Sequence, residues 1–198
     1  MITALLLSGG IDSIAIAAWQ HPEIAFTVDY GQSSARGEIR AAQHVAETLG
    51  ITHEVLSVDC SSLGSGDLLN KPASAIAPVS EWWPFRNQML TTLSAMRAVA
   101  LGVSRILVGS VASDGLHCDG TSEFYRQLDA LLVLQEGGIR VEAPAIAMTT
   151  TELVRISGVP LSLLAWAHSC HTSDYACGSC RGCNKHRDVM LALTSEAY

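Results

Sequence analysis

The chain has 198 residues, 48% hydrophobic and 16% charged, which excludes a disordered polymer and leaves room for one packed domain around a buried sheet. Its net charge is −7 and its only lysines are Lys71 and Lys185, so stable binding to nucleic acid, which needs clustered cations, is not expected. No apolar stretch approaches the roughly 20 residues of a bilayer span and the first residues lack a secretory pattern, so the expected location is the cytoplasm, with no membrane partner.

In chain order, Thr3–Ser8 reads as a first strand, and a helix follows from Asp12 to about Trp19. Ile24–Asp29 is a second strand, ending in Asp29-Tyr30-Gly31-Gln32. From Ala35 the positions Ile39, Ala42, Val45, Ala46 and Leu49 carry helical spacing, with Gly50 as the stop. Thr52–Val58 is a third strand. The polar stretch Ser61–Pro84, rich in Gly, Ser and Pro, reads as an irregular active-site loop. A helix over Asn87–Gly102, a strand over Ser104–Ser110 and a helix over Thr121–Gly138, capped by Thr121 or Ser122, come next. A fifth strand over Ile139–Pro144 and a capped helix opening at Thr149 complete the pattern.

Strands spaced by helices imply an α/β chain with a doubly wound, mostly parallel sheet and right-handed crossovers. In such a sheet ligands bind beyond the carboxyl ends of the strands. Three candidate loops fall at that edge: Ser8–Ser13, Asp29–Gln32 and Gly109–Asp119. There is no internal repeat.

In the first of these loops, Gly9 and Gly10 allow a sharp turn and a close approach to a ligand. The following helix start offers N–H groups and partial positive charge to an anion, and the hydroxyls of Ser8 and Ser13 add donors. Asp12 is out of place beside a phosphate unless it caps the helix or helps to hold magnesium. No Gly-Lys-Ser/Thr ending marks a Walker A loop, and no GxGxxG fingerprint is present. Ser-Gly-Gly alone also suits a plain strand–helix corner. The full string Ser8-Gly9-Gly10-Ile11-Asp12-Ser13 resembles the pyrophosphate loop of the ATP pyrophosphatases, which activate a carboxylate, amide or carbonyl oxygen by adenylation.

Cys60 and Cys118 stand alone and read as small buried hydrophobes. Cys170, Cys177, Cys180 and Cys183 follow C-x6-C-x2-C-x2-C, a spacing that closes a tetrahedral zinc site. A redox CxxC pair and an iron–sulfur cluster are the rivals; disulfides are not expected in a reducing compartment. Gly178 and Gly182 suit the tight turns that metal thiolates impose. His168, His171 and His186 flank the cluster as substitute ligands or as surface histidines. With no open coordination position, the metal would be structural and would pin the C-terminal segment to the sheet.

The loop at Ser8–Ser13, the string Asp29–Gln32, Phe85-Arg86-Asn87 before a long helix, the acidic loop after the fourth strand and the four cysteines occur in one order. That order resembles the QueC family of 7-cyano-7-deazaguanine synthases over almost the whole chain. The resemblance implies a Rossmann-like sheet of the adenine nucleotide alpha hydrolase type over residues 1–165, a zinc-binding element over 166–198 packed on the same domain, and a homodimer. It implies adenylation of 7-carboxy-7-deazaguanine by ATP with Mg2+, then attack by ammonia to form an amide and, after a second activation, a nitrile. It assigns Ser8, Gly9, Gly10, Asp12 and Ser13 to the phosphates, and Asp29, Tyr30, Gly31 and Gln32 to the border of the nucleotide. Arg86, Asn87, Asp114 and Asp119 fall to the deazaguanine, with Asp12, Ser13 and Arg86 as catalytic residues and Cys170, Cys177, Cys180 and Cys183 as zinc ligands. Arg86 suits an anion and an aspartate suits a guanidine-like edge; each could instead be a surface charge or a cap.

The chain also departs from that family's usual pattern. An Arg-His pair after the Gln32 position is replaced by Ser33-Ser34-Ala35-Arg36. Pro-Asp-Cys-Arg becomes Cys118-Asp119-Gly120-Thr121, and Pro-Gly-Arg-Asn becomes Pro84-Phe85-Arg86-Asn87. An arginine after the last cysteine is displaced to Arg187. These changes touch the acceptor side. They open a second expectation: a divergent enzyme that stops at the amide or conjugates the activated base to a partner protein's amine, as in a bacterial antiviral defence system. A tRNA thiolase and a non-catalytic nucleotide-binding module are the remaining readings.

Overall fold

The computed structural model describes residues 1–195, the side chain of Leu116 excepted. The strands are β1 (Ile2–Leu6), β2 (Ile24–Asp29), β3 (Thr52–Ser57), β4 (Val103–Leu107) and β5 (Arg140–Glu142). They form one parallel sheet in the order β3-β2-β1-β4-β5, with Leu5 opposite Ala25 on one side and Leu107 on the other. The α/β class and the doubly wound parallel sheet are therefore as the sequence implies.

The helices are α1 (Ile11–Gln20), α2 (Ala35–Leu49), α3 (Arg86–Ala100), α4 (Ser122–Val133), α5 (Thr150–Ser157), α6 (Leu161–Leu164) and α7 (Arg181–Thr194). Successive strand residues point to opposite faces, and this sorts the core. Leu5 and Leu7 pack with Ile14 and Ile16 of α1, Val45 of α2, Leu153 of α5 and Leu164 of α6. Ala4, Phe26 and Ile106 face the other way, onto Ala95 and Ala98 of α3 and Leu128 and Leu132 of α4. Each fully buried large side chain contributes about 1.5–3 kcal/mol.

Local chemistry sets the boundaries. Thr121 Oγ1 accepts from Phe124 N at 3.1 Å and starts α4, which ends at Val133, before the left-handed pair Gly137 and Gly138. The fifth strand is only three residues long and lies at the edge of the sheet, where Asp129 of α4 accepts from Val141 N at 2.8 Å. The stretch 61–84 is a packed cover: Leu68 and Trp83 are buried with Val28 and Tyr30, and the Tyr30 and Trp83 rings meet edge-on at 5.0 Å.

The C-terminal segment joins the same core, because Val189 of α7 is buried with α1 and α5 residues while Met190 and Leu193 pack against them. The last part of the expected element, 196–198, lies outside the described residues. Among the described residues no helix is long and apolar enough to cross a membrane.

Candidate active site

A cavity of about 640 Å3 opens at the carboxyl edge of the sheet, between the end of β1 and the continuation of β4 through Val108, Gly109 and Ser110. The winding reverses between these two strands, and an open α/β sheet offers its ligand crevice there. Gly109 lies so near α1 that an added Cβ would stand 3.3 Å from the Ser13 backbone, so the two loops meet without a side chain between them.

The turn after β1 owes its shape to Gly9, whose φ is +76. An added Cβ there would meet the Glu38 carbonyl oxygen at 2.7 Å and Ala41 Cβ at 2.8 Å. Gly10 precedes α1, no side chain caps the helix, and Gly10, Ile11, Asp12 and Ser13 line the crevice, so the uncapped helix start borders it. Ser13 Oγ donates to Gly10 O at 3.0 Å and stands 3.3 Å from Ser8 Oγ. Asp12 is not a cap. Its Oδ2 accepts from Lys185 Nζ at 2.9 Å, and its Oδ1 is buried with no hydrogen-bond partner. Lys185 Nζ also stands 3.9 Å from Asp114 Oδ1. The start of α5 borders the same cavity: Thr149 caps it in a reciprocal pair with Glu152, and Thr150 and Thr151 line the wall.

On the other side Leu6, Phe26, Val28 and Val108 form an apolar floor, closed by Leu90 of α3 and Tyr125 of α4. Tyr125 OH and Ser110 Oγ lie 2.6 Å apart, and burial pushes the Tyr125 phenol up to about 12. Arg86 begins α3 on this side. Burial works against its charge, but Tyr30, Asp119, Glu38 and Asp114 around it outweigh burial and hold it above its ordinary value. Burial in turn raises Tyr30 and Glu38. The Glu38 carboxylate accepts from Gln32 Nε2 at 3.0 Å and Ser34 Oγ at 2.6 Å. Asp119 Oδ2 accepts from Asn87 N at 2.9 Å while its carbonyl accepts from Asn87 Nδ2 at 2.8 Å, so Asp119 holds the start of α3.

The cysteine segment supplies the remaining wall. The four Sγ atoms of Cys170, Cys177, Cys180 and Cys183 lie within 4.8 Å of one another. Cys177 Sγ and Cys183 Sγ are 3.9 Å apart, close to the ~3.8 Å edge of a tetrahedron with zinc–sulfur bonds of about 2.3 Å. The amides of Cys180, Cys183 and His171 donate to these sulfurs at 3.3–3.4 Å, an arrangement that favours thiolates. Gly178 turns the chain at φ +78. The donor set fits a zinc ion. Gly182 serves a different purpose from the expected knuckle turn: it lies in α7, and a Cβ there would collide with the Ser169 carbonyl.

The segment is also tied to the rest of the site. His168 N donates to Gly9 O at 2.8 Å, Gly37 N to Asp174 Oδ1 at 3.2 Å, and Asn70 Nδ2 to Thr172 O at 2.9 Å. Glu81, buried in the cover, accepts from Arg181 at 2.5 Å. Burial alone would raise Glu81, but its own backbone hydrogen bond and the Arg181 charge hold it below its ordinary value.

The model of queuosine biosynthesis protein QueC matches residues 3–193. The 7-cyano-7-deazaguanine synthase of Methanothermobacter thermautotrophicus is 31% identical, over 92% of this chain and 90% of that protein. Those of Acidobacterium capsulatum and Desulforudis audaxviator are each 33% identical, over 89% and 91% of this chain and 86% and 92% of theirs. The chain belongs to the QueC family.

Within this QueC chain the structure brings Ser8, Gly10, Asp12, Ser13, Tyr30, Arg86, Asn87 and Asp114 to one cavity, with Gly9 shaping its wall. It does not bring Asp29, Gly31, Gln32 or Asp119 to the cavity wall. Asp29 Oδ1 accepts from Gly31 N, and the Gln32 amide is spent on Tyr30 N, Val28 O and Glu38, so these residues brace the turn that presents Tyr30. Cys118 is exposed, contrary to the buried hydrophobe expected of a lone cysteine. His168, His171 and His186 line the cavity half-buried, so they are not surface histidines. Phe85, at the glycine position of the family's usual string, keeps a glycine-like φ of +59.

Sequence reasoning missed Glu38, Glu81, Tyr125, the Thr149–Thr151 start, Arg181 and Lys185. The capping box at Thr149 and Glu152 was a visible signal for one of them. For Lys185 the signal was chemical: an acid such as Asp12 in a glycine turn at a helix start calls for a cation.

Proposed function

We propose that the chain is an ATP-dependent carbon–nitrogen ligase that adenylates the carboxylate of 7-carboxy-7-deazaguanine and passes it to ammonia. The observation that carries this reading is the two-sided cavity, with an anion-ready turn on one side and an apolar floor beside Arg86 and Asp114 on the other. The names of the curated relatives, 7-cyano-7-deazaguanine synthases, support it.

A carboxylate resists attack by an amine because its oxygen leaves poorly, and transfer to the α-phosphorus of ATP makes AMP the leaving group instead. Here Ser8, Gly9, Gly10, Asp12 and Ser13 receive the phosphates, and Tyr30 borders the nucleotide. The flat base lies over Phe26, Val28 and Val108, Arg86 orients its carboxylate, and Asp114 accepts from its guanidine-like edge. The carboxylate oxygen attacks the α-phosphorus, the bond to the β-phosphate bridge breaks, and the electron pair leaves with pyrophosphate. Ammonia then bonds to the acyl carbon, AMP departs and a proton is lost, leaving the amide. A second ATP activates the amide oxygen in the same way, and loss of AMP and protons leaves the nitrile. The site contributes positioning and charge and needs no protein nucleophile.

Magnesium bound with ATP would shield phosphate charge, and the buried, partnerless Asp12 Oδ1 is a donor that fits it. Zinc held by Cys170, Cys177, Cys180 and Cys183 would supply folding energy only, because four thiolates leave no open position.

The test is mass spectrometry of purified protein given ATP, 7-carboxy-7-deazaguanine and ammonium. Nitrile with pyrophosphate supports the reading. Accumulation of the amide, or transfer to an added amine, supports the second expectation, a divergent enzyme. That version draws on the position of Arg36, which is exposed and away from the cavity. Absence of acid-dependent pyrophosphate release would overturn both.

A further inference from the structure

We propose that Lys185 is the cation that receives the β- and γ-phosphates of ATP and the departing pyrophosphate, an inference that rests on the nucleotide reading above. The problem it solves is electrostatic. The uncapped first turn of α1 lines the crevice, but it also carries Asp12, an anion where polyphosphate has to sit.

Among the described residues, three Lys or Arg side chains line the cavity: Arg86, Arg181 and Lys185. Arg181 is held by the buried Glu81 at 2.5 Å. Arg86 is set at the start of α3 among Tyr30, Asp119, Glu38 and Asp114. Lys185 alone of the three is bonded to the phosphate loop, through Asp12 Oδ2 at 2.9 Å. Asp114 Oδ1, at 3.9 Å, is beyond hydrogen-bond length. An ammonium carries three N–H donors, so the side chain can keep Asp12 and still donate to a phosphate oxygen. It is 38% exposed and has a flexible stem, which lets the head shift towards the ligand.

A second observation points to the same ligand. Thr150 is 6% exposed, lines the cavity and has its Oγ1 buried without a hydrogen-bond partner. It is the first residue of α5, and the adjacent Thr151 borders a second depression together with Lys185. Two helix starts, a partnerless hydroxyl and an ammonium therefore line one cavity. Lys185 owes its place to the cysteine turn: Cys180 precedes α7, Cys183 lies in its first turn, and Lys185 follows two residues later. In the adenylation step the α-phosphorus gains a bond to the carboxylate oxygen and loses the one to the bridging oxygen. The electron pair moves onto pyrophosphate, so a cation there stabilises the charge that develops.

Binding of three probes separates this role from a structural one: the α,β-methylene analogue of ATP, inorganic pyrophosphate and AMP. Calorimetry would use the wild-type, Lys185→Met and Lys185→Arg proteins, with zinc content measured for each. Lys185→Met is expected to weaken the analogue and pyrophosphate by about 10- to 100-fold while AMP changes by about 2-fold or less. Lys185→Arg is expected to restore most of the loss, and all three proteins to hold equal zinc. Wild-type affinity for pyrophosphate in Lys185→Met would overturn the inference. So would equal losses of AMP and pyrophosphate, or loss of zinc, since either means that Lys185 only supports the fold. A wild-type protein that binds none of the probes overturns the nucleotide reading and this inference with it.

Discussion

Gly9→Ala and Gly10→Ala are adjacent changes in one motif, and they are expected to behave differently. At Gly9 the backbone has φ +76, and a Cβ would stand 2.7 Å from the Glu38 carbonyl oxygen and 2.8 Å from Ala41 Cβ. Neither neighbour is the yielding end of a long side chain, so α2 itself has to move. The left-handed conformation costs an L-residue about 1–2 kcal/mol, and overpacking adds about 1–3 kcal/mol. The sum is about 2–5 kcal/mol, and for a domain of this size Tm is expected to fall by roughly 4–20 °C. At Gly10, φ is −79 and the nearest atoms to a Cβ are Ser8 Oγ at 3.5 Å and His168 O at 3.9 Å, which is ordinary contact. The remaining loss is that alanine is the poorer residue before a helix, about 0.5–1 kcal/mol. Thermal unfolding by circular dichroism, on zinc-loaded protein without nucleotide, reads the difference. Equal melting points, or a less stable Gly10→Ala, would refute the argument from backbone geometry.

Asp12→Ala, which removes the carboxylate between α1 and Lys185, is expected to abolish substrate-dependent pyrophosphate release while zinc content measured by mass spectrometry stays at the wild-type level. Cys180→Ser, which removes one of four converging sulfurs, is expected to lose zinc; normal zinc stoichiometry would rule out the four-cysteine site. Phe85→Gly should be stabilising by about 0.5–1 kcal/mol in denaturant titration, because Phe85 is left-handed and 75% exposed, with little packing to lose. Burial holds Glu38 above 4.5, so the folded protein keeps a proton there that the unfolded chain has lost. That stability is fully present below 4.5 and disappears as pH rises through the raised value. The Tm of Glu38→Gln minus that of wild type should therefore increase with pH; a difference that is flat or falls contradicts the assignment.

The parallel sheet was legible because each strand is a short apolar run and each helix carries its own period or cap. Leu5 and Leu7, opposed to Ala4 and Leu6, show how such a run is divided between two cores. Helix ends were blurred wherever glycine conformation decides, as at Gly137 and Gly138, where α4 stops short of the expected end. At the site, the turn between β1 and α1 and the converging cysteines were legible from local spacing. Residues that work through distant partners were not. Asp119 looked like a substrate group, but the structure spends it on Asn87, 32 residues away. Gln32 looked like a nucleotide contact, but its amide braces its own turn. Lys185 meets Asp12 across 173 residues of chain, a pairing that no local pattern announces.

That pairing also bears on why the cysteine turn sits where it does. A metal site whose only task was to secure the chain end could lie anywhere on the surface. Here His168 N holds Gly9 O, Asp174 holds Gly37 N, and α7 carries Lys185 to Asp12. Gly9 in the turn after β1, the helix it abuts and Lys185 beside Asp12 are thus fixed by one segment. Zinc bound at the four cysteines would stabilise the folded form of that segment, so its removal should disturb the turn after β1 before the floor of Phe26, Val28 and Val108, which the sheet holds. Chelation followed by titration should then weaken binding of the ATP analogue while the β-strand signal in circular dichroism persists. Loss of both together would mean that the segment supports the whole domain and has no special hold on the site.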